Sequence, residues 1–367
     1  MKTTLSVIKA DIGSIAGHTK PSEKLVDEVK NFVSTKGKGL IADFHVFFTG
    51  DDIAILMTHH QGKLDEKVHK MAWDAFLAGT KVAKEQGLYG AGQDLLATAF
   101  SGNVKGMGPA VAELEFEERL AEPFILFAAD KTAPGAYNLP LYLTFASPFH
   151  NAGLIISPEM RKGFKFRIVD VYHTKADKVI ELVTPKDLYD IAALLRDVNR
   201  YLVESIYSPE DNEQAAAVST TRLHNIAGKY TGKDDPVCLV RVQKTFPATG
   251  EVLSPYAICP FVPGFMRGSH WGPLMPVKLN SSISYFDGPP VVSAAGLCVQ
   301  NGKLTEPVDL FDHPFWDRMR EKAADKALAI REQGFFGAAM LGMDELEYTG
   351  IAERLKELEK KFKIKES

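Results

Sequence analysis

Phe44-His-Val-Phe-Phe-Thr-Gly-Asp-Asp-Ile-Ala-Ile-Leu-Met57 is the stretch that decides the fold. Two apolar, strand-forming runs, 41–48 and 52–59, are parted only by Thr49-Gly-Asp-Asp52. Parallel neighbours need a crossover of about a dozen residues or more, so this pair reads as an antiparallel hairpin. The chain is therefore α+β rather than a doubly wound parallel sheet. Upstream, a strand at 3–10 and a helix at 22–35 precede the hairpin. Downstream, Asp65 is placed to cap a helix over 65–86 whose apolar face is Val68, Met71, Ala72, Ala75, Phe76 and Val82.

Beyond a glycine-rich passage, Tyr89 to Pro109, strand-like runs cover 110–117, 123–129, 140–147 and 164–173. The pattern then predicts helices over 186–207 and 212–229, a strand at 237–243 and a Pro- and Gly-rich span to 290. A strand at 291–299 and helices near 313–333 and 344–362 close the chain. No repeat or interdomain linker interrupts it, and residues 1–367 are expected to form a single compact domain.

Hydrophobic residues make up 45% and charged residues 25% of the 367, with a formal net charge of −4. Such a chain offers no basic field for nucleic acid. No run approaches the roughly 18 apolar residues of a membrane span. Met1 leads at once into a strand without a basic, apolar leader, which predicts a cytoplasmic protein. Cys238, Cys259 and Cys298 have neither disulfide-framework nor metal-finger spacing; Cys238 and Cys298 sit in apolar runs and read as small buried hydrophobes.

Chemistry gathers at strand ends. Asp11 and His18 follow the first strand, Asp51 and Asp52 occupy the hairpin turn, Asp130 and Lys131 close 123–129, and Asp287 follows Ile283-Ser-Tyr-Phe286. Loops held by a rigid sheet are where active sites are built. Lys233 lies in Tyr230-Thr-Gly-Lys-Asp-Asp235, an amine near a phenol and two carboxylates, a combination that suits carbonyl chemistry beside phosphate chemistry. The same letters also suit a solvated turn. Acid pairs such as Asp51-Asp52 and Asp234-Asp235 would repel if buried without a cation, and hard divalent ions take such oxygen ligands; a polar turn is the other reading. His18 fits a metal ligand, a phosphate contact or an exposed loop residue. Arg267 suits a bidentate phosphate clamp or a surface position. The glycine segments match neither a P-loop nor a dinucleotide fingerprint, and Ser269-His270 lacks a nucleophile elbow.

Longer words carry a resemblance: Ala10-Asp-Ile-Gly-Ser14 with Gly17-His18, Thr49-Gly-Asp-Asp52, Leu88-Tyr-Gly-Ala-Gly-Gln-Asp94, Ser101-Gly-Asn-Val-Lys-Gly-Met-Gly108, Ala129-Asp-Lys-Thr132, Gly232-Lys-Asp-Asp-Pro236 and Tyr285-Phe-Asp-Gly-Pro-Pro290. With Val240-Arg-Val-Gln243, Asp312-His-Pro-Phe-Trp316 and Glu345-Leu-Glu-Tyr348, they span nearly the whole chain, which resembles the fructose-1,6-bisphosphate aldolase/phosphatase family of archaea and bacteria. That resemblance implies condensation of dihydroxyacetone phosphate with glyceraldehyde 3-phosphate, then hydrolysis of the C1 phosphate to fructose 6-phosphate. It also implies a four-layer α/β/β/α sandwich with largely antiparallel sheets rather than a TIM barrel, several Mg²⁺ ions per site and a homo-octamer.

Carried over by motif, Lys233 is the Schiff-base lysine, Tyr230 its proton-transfer partner and Tyr348 a second tyrosine of the aldol site. The metal ligands are Asp11, His18, Asp51, Asp52, Gln93, Asp130, Asp234 and Asp235. The sugar-phosphate contacts are His18, Tyr89, Gly102, Asn103, Lys131, Gln243, Arg267, Asp287 and Tyr348. A monofunctional Mg²⁺-dependent fructose-1,6-bisphosphatase would use the acids without needing Lys233 as a nucleophile, and a non-catalytic sugar-phosphate binder would need neither.

Overall fold

The structure, a computed structural model, describes residues 2–95, 108–172, 178–222, 233–266, 270–283, 288–332 and 350–365. Strand β1 (Lys2–Asp11) leads to helix α1 (Glu23–Lys36), the hairpin β2 (Asp43–Thr49) and β3 (Asp52–His59), helix α2 (Glu66–Glu85), then β4 (Ala110–Glu117) and β5 (Glu122–Asp130). Helices α3 (Asn138–Phe145) and α4 (Gly153–Ile156) precede β6 (Lys165–Asp170) and β7 (Lys178–Val183). Helix α5 (Leu188–Leu195) is followed by β8 (Tyr201–Tyr207), β9 (Gln214–Val218), β10 (Thr221–Arg222) and β11 (Val237–Arg241). The last part holds β12 (Phe261–Met266), β13 (His270–Pro273), β14 (Met275–Pro276), β15 (Val291–Gln300), β16 (Lys303–Leu304), β17 (Val308–Asp309), helices Pro314–Glu332 and Gly350–Glu359, and β18 (Lys363–Ile364).

The hairpin forms as read, with Thr49 paired to Asp52. It sits at one edge of a five-stranded sheet of order β10-β4-β1-β3-β2, antiparallel throughout. A second sheet runs β14-β15-β5-β11-β9-β8-β6-β7-β18, with β16 and β17 on β15. Its only parallel pair among the described strands is β14 with β15. Neither path closes, so the fold is α+β with open, antiparallel-rich sheets and not a TIM barrel.

Alternation along β1 shows where the core lies. Ile8 and Ala10 pack with Leu25, Val29 and Val33 of α1 and with Val68, Ala72 and Phe76 of α2. Leu5 and Val7 face the other way and meet Ala54, Leu56 and Leu114 of their own sheet and Leu126, Ala128, Leu239 and Leu297 of the second. On its far side the second sheet buries Ile125, Phe127 and Val240 against Leu141 and Phe145 of α3, Leu194 of α5, and Trp316 and Met319 of the Pro314–Glu332 helix. Both N-terminal helices are capped by side chains: Ser22 Oγ accepts from Leu25 N–H, and Asp65, as expected, accepts from Lys67 and Val68 N–H.

Three expectations fail. Residues 140–147 are not a strand but the end of α3, with Pro140 in its first turn, where its missing N–H costs no helix bond. The helix expected over 186–207 stops at Leu195, and Tyr201–Tyr207 pairs with β6 and β9 instead. The helix expected over 212–229 is, in its described part, β9 and β10. Ala215, Ala216 and Ala217 suggest a helix by propensity, but small side chains also let a wholly buried strand fit between packed layers, and tertiary burial wins. Cys238 is buried, whereas Cys298 keeps part of its surface exposed. Among the described residues no helix is long and apolar enough to cross a membrane.

Under α2 the first sheet carries a buried polar cluster. Ser6 Oγ donates to Glu113 at 2.7 Å and meets His59 Nε2 at 2.8 Å, His69 Nε2 lies 3.0 Å from Glu113, and Leu64 N–H donates to Glu113 at 2.7 Å. Burial pushes the Glu113 carboxyl up, but His69, Ser6 and the Leu64 N–H together outweigh it and hold the group below the usual range. A depressed folded pKa gives stability that is present above the unfolded value and lost as pH falls through the folded one. Glu113→Gln is therefore expected to destabilise the protein by about 2 kcal/mol near pH 7. Melting curves of the two proteins should converge as the pH falls below 4.5, the ordinary value of this carboxyl.

Candidate active site

The inter-sheet alternation that buries Leu5 and Val7 continues through Lys9 to Asp11; Ala54 and Leu56 share parity with Asp52, and Leu126 and Ala128 with Asp130. One end of the sheet–sheet core is therefore acidic. In register, Asp11 faces Asp52 across β1 and β3, and Asp130 faces Val291 across β5 and β15. Residues 233–235 arrive just before β11, whose Val237 pairs with Ala128. Asp11, Asp51, Asp52, Asp94, Asp130, Lys9, Lys131 and Lys233 are all buried there.

Oxygens of Asp51, Asp52 and Asp130 lie within 4.8 Å of one another, as do ligand atoms of Asp11, His18 and Asp51. Asp234 and Asp235 belong to neither group. Two groups that share Asp51, one of three carboxylates and one of two carboxylates with the His18 imidazole, suit divalent metal binding. Lysines supply part of the countercharge. Lys131 Nζ bonds Asp51 and lies 2.9 Å from Asp130, Lys9 bonds Asp52, and Lys233 lies 2.8 Å from Asp234 and 3.6 Å from Asp94. His18 Nδ1 is 2.9 Å from Asp51 Oδ2, and its ring meets Tyr89 edge-on at 4.9 Å.

Backbone geometry serves the same end. Gly50 has φ +58°, and a Cβ there would stand 1.6 Å from Asp130 Oδ2, so only glycine lets the hairpin turn approach this carboxylate. Lys131 and Asp235 adopt left-handed φ values of 58° and 48°. In that bend Lys131 N–H donates to Asp130 Oδ1, while Thr132 and Asp235 exchange two 2.8 Å bonds, Thr132 N–H to Asp235 Oδ1 and Asp235 N–H to Thr132 O. Strain of this kind is tolerated where surrounding structure fixes a functional side chain.

Crowded charge sets the titration. Burial, then Asp51, Asp52 and Asp94, hold Asp11 well above the carboxylate range, and Asp130 is raised chiefly by burial. Asp94 is pushed to about 6 chiefly by burial, against the opposing pull of the Lys233 ammonium, and Asp235 to about 8 by burial and then by Asp234 and Asp52, against Lys9 and Lys131. Asp51 goes the other way: burial opposes ionisation, but Lys131 and His18 overcome it and hold the group low. For Lys233, burial favours the neutral amine, yet Asp234, Asp94 and Asp52 prevail and keep it an ammonium.

Of the residues read from sequence, Asp11, His18, Asp51, Asp52, Asp130, Lys131 and Lys233 to Asp235 come together, with Tyr89 beside His18 and Gln93 half-buried in the turn that holds Asp94. Gln243 does not join them within one chain. It follows the opposite end of β11, beyond five strand residues or roughly 17 Å of strand, where Arg119 Nη1 donates to its carbonyl. Tyr230, Gly102, Asn103, Arg267, Asp287 and Tyr348 lie outside the described residues. Two members were missed, Lys9 and Asp94. Lys9 had a signal, a charge at an inward position of an apolar strand. Asp94 bonds Asp11 N–H across 83 residues of sequence, which no local pattern announces.

A family model described as fructose-1,6-bisphosphatase matches residues 2–363. A fructose-1,6-bisphosphate aldolase/phosphatase of Thermus thermophilus is 56% identical over 362 residues, covering 99% of this chain and 100% of the relative. Proteins of the same name from Sulfurisphaera tokodaii and Methanocaldococcus jannaschii are 50% and 49% identical, covering 99% and 98% of this chain and 94% and 92% of their own length.

Proposed function

The chain belongs to the fructose-1,6-bisphosphatase family, and from that membership we propose that it is a bifunctional gluconeogenic enzyme, a fructose-bisphosphate aldolase and fructose-1,6-bisphosphatase in one site. It condenses dihydroxyacetone phosphate with glyceraldehyde 3-phosphate and then hydrolyses the C1 phosphate of the product. The relatives named for both activities cover nearly the whole chain, which supports this reading. The observation that carries it is the Lys233 amine, buried against the rim of an acidic cluster with metal-ligand spacing.

In the condensation, Lys233 gives up a proton, its lone pair attacks the ketone carbon, and loss of water leaves an iminium on its nitrogen. Loss of a C3 proton, for which Tyr230 is the partner and Tyr348 the second tyrosine, turns the iminium into an enamine. The enamine forms the C3–C4 bond to the aldehyde, whose oxygen takes up the proton removed from C3 as the iminium re-forms. Water then adds to the iminium carbon and releases the Lys233 amine and fructose 1,6-bisphosphate. In hydrolysis, attack of water on the C1 phosphorus breaks the P–O bond to the sugar. Lys131, His18 and Tyr89 are assigned to substrate phosphate and hydroxyl groups.

The donor set fits Mg²⁺: Asp11, His18, Asp51, Asp52, Gln93, Asp130, Asp234 and Asp235 would hold it, several ions to a site. Bound there, the ions neutralise phosphate oxygens and activate water. Three packed interfaces, helix on sheet, sheet on sheet and sheet on helix, support the α/β/β/α four-layer order. A single catalytic domain, a homo-octamer and a cytoplasmic location complete the proposal.

The test is phosphate release from the two triose phosphates with Mg²⁺, alongside borohydride trapping of dihydroxyacetone phosphate and mass mapping of the modified peptide. Phosphate release that stops with a chelator, together with a label on Lys233, is the expected result. Hydrolysis of fructose 1,6-bisphosphate alone, with no label, would overturn it in favour of the monofunctional phosphatase.

A further inference from the structure

Among the described residues, Asp94 is the one buried acid of the site that the metal and phosphate assignments leave unused. It belongs to neither group of close ligand atoms. Its position is nonetheless built with care. The turn that bears it is fastened to the end of β1 by reciprocal bonds of 2.9 Å between Ser14 and Tyr89 and by Gly92 N–H to Ile12 O at 3.0 Å. Gly92 has φ +81°, and a Cβ there would stand 2.8 Å from Thr80 Cγ2, so the turn packs directly on α2. Asp94 Oδ2 then accepts from Asp11 N–H at 2.9 Å and, with the same oxygen, lies 3.6 Å from Lys233 Nζ.

We infer that Asp94 is the counter-ion and positioning residue of the Lys233 nitrogen, specific to the condensation half of the reaction; the inference rests on the proposed role of Lys233. The nitrogen carries one positive charge both as the resting ammonium and as the iminium, so a fixed carboxylate serves both states without moving. Asp234 is nearer to the amine, at 2.8 Å, but its side chain is 21% exposed against 8% for Asp94, and its proposed duty is to a cation. Asp94 is anchored from below by a backbone N–H and keeps its place when Asp234 is engaged. Phosphate hydrolysis forms no charge on Lys233 and needs no such partner.

Asp94→Asn is nearly isosteric and can still accept from Asp11 N–H, so it removes the charge and spares the latch. Three readings on wild type and variant test the inference: phosphate release from triose phosphates, phosphate release from fructose 1,6-bisphosphate, and the fraction of Lys233 trapped by borohydride. Condensation is expected to fall about 100-fold, the order found when a fixed electrostatic partner is removed, with bisphosphate hydrolysis kept within about threefold. The trapped fraction should fall with condensation, and the melting temperature should stay near that of wild type. Equal loss of both activities would make Asp94 merely a support of the acidic cluster and overturn the inference. Unchanged condensation would reduce Asp94 to a latch and overturn it too. A wild-type protein that traps nothing on Lys233 would instead remove the proposed function itself, and this inference with it.

Discussion

Phosphate release from dihydroxyacetone phosphate and glyceraldehyde 3-phosphate is expected to fall by about 10³-fold or more in Lys233→Arg, while hydrolysis of supplied fructose 1,6-bisphosphate stays within about tenfold. Arginine keeps a positive charge against Asp234 and Asp94, which lie 2.8 and 3.6 Å from the present amine. The electrostatic balance of the buried cluster therefore changes little. A guanidinium cannot lose its proton in this range and forms no imine, so only the nucleophile is removed. Assays on the two substrates in parallel separate the half-reactions. Equal loss of both would mean that Lys233 holds the acidic cluster together rather than capturing a ketone. Loss of neither would take the lysine out of the chemistry.

How much of this was legible beforehand depends on the range of the interaction. The hairpin was readable because Thr49 to Asp52 combines a short connection with turn residues, both local properties. Strand parity was readable as well, and once the antiparallel register was known it placed Asp11 and Asp52 on the inner face of the first sheet and Asp130 on the facing side of the second. What failed was longer in range. The sequence Gln214-Ala-Ala-Ala-Val218 has helical propensity, and only its neighbours β8 and β11 make it a strand. Lys9 could have been found, since an inward lysine requires a buried partner, here Asp52. Asp94 could not, because its partners among the described residues, Asp11 and Lys233, lie 83 and 139 positions away in sequence. Gln243 shows the opposite limit: a residue assigned by motif alone carries no information about which end of its strand faces the site.

Asp11→Asn is expected to abolish both half-reactions, by about 10³-fold each, and yet to raise the melting temperature of the metal-free protein. The two effects have one cause. Burial, and then Asp51, Asp52 and Asp94, already make the Asp11 carboxylate costly to ionise. Such a group adds stability below its unfolded pKa and loses it as pH rises through the raised folded value. Asparagine removes that loss near neutral pH, and its side-chain oxygen can still accept from Gly13 N–H, a bond of 3.2 Å in the native protein. A cation that binds only the folded state stabilises it by mass action, by about 2.7 kcal/mol at 100 times its Kd. The wild type should therefore gain melting temperature on adding Mg²⁺ far more than the variant does, and the order of stability seen in chelator should reverse. Paired melting curves with chelator and with Mg²⁺ read this directly. If the variant melted lower in both, Asp11 would be a structural carboxylate whose charge the fold needs. A reversal would mean that the acidic end of the sheet–sheet core is held in a destabilised state until cations fill it, with stability given up by the empty site recovered on binding.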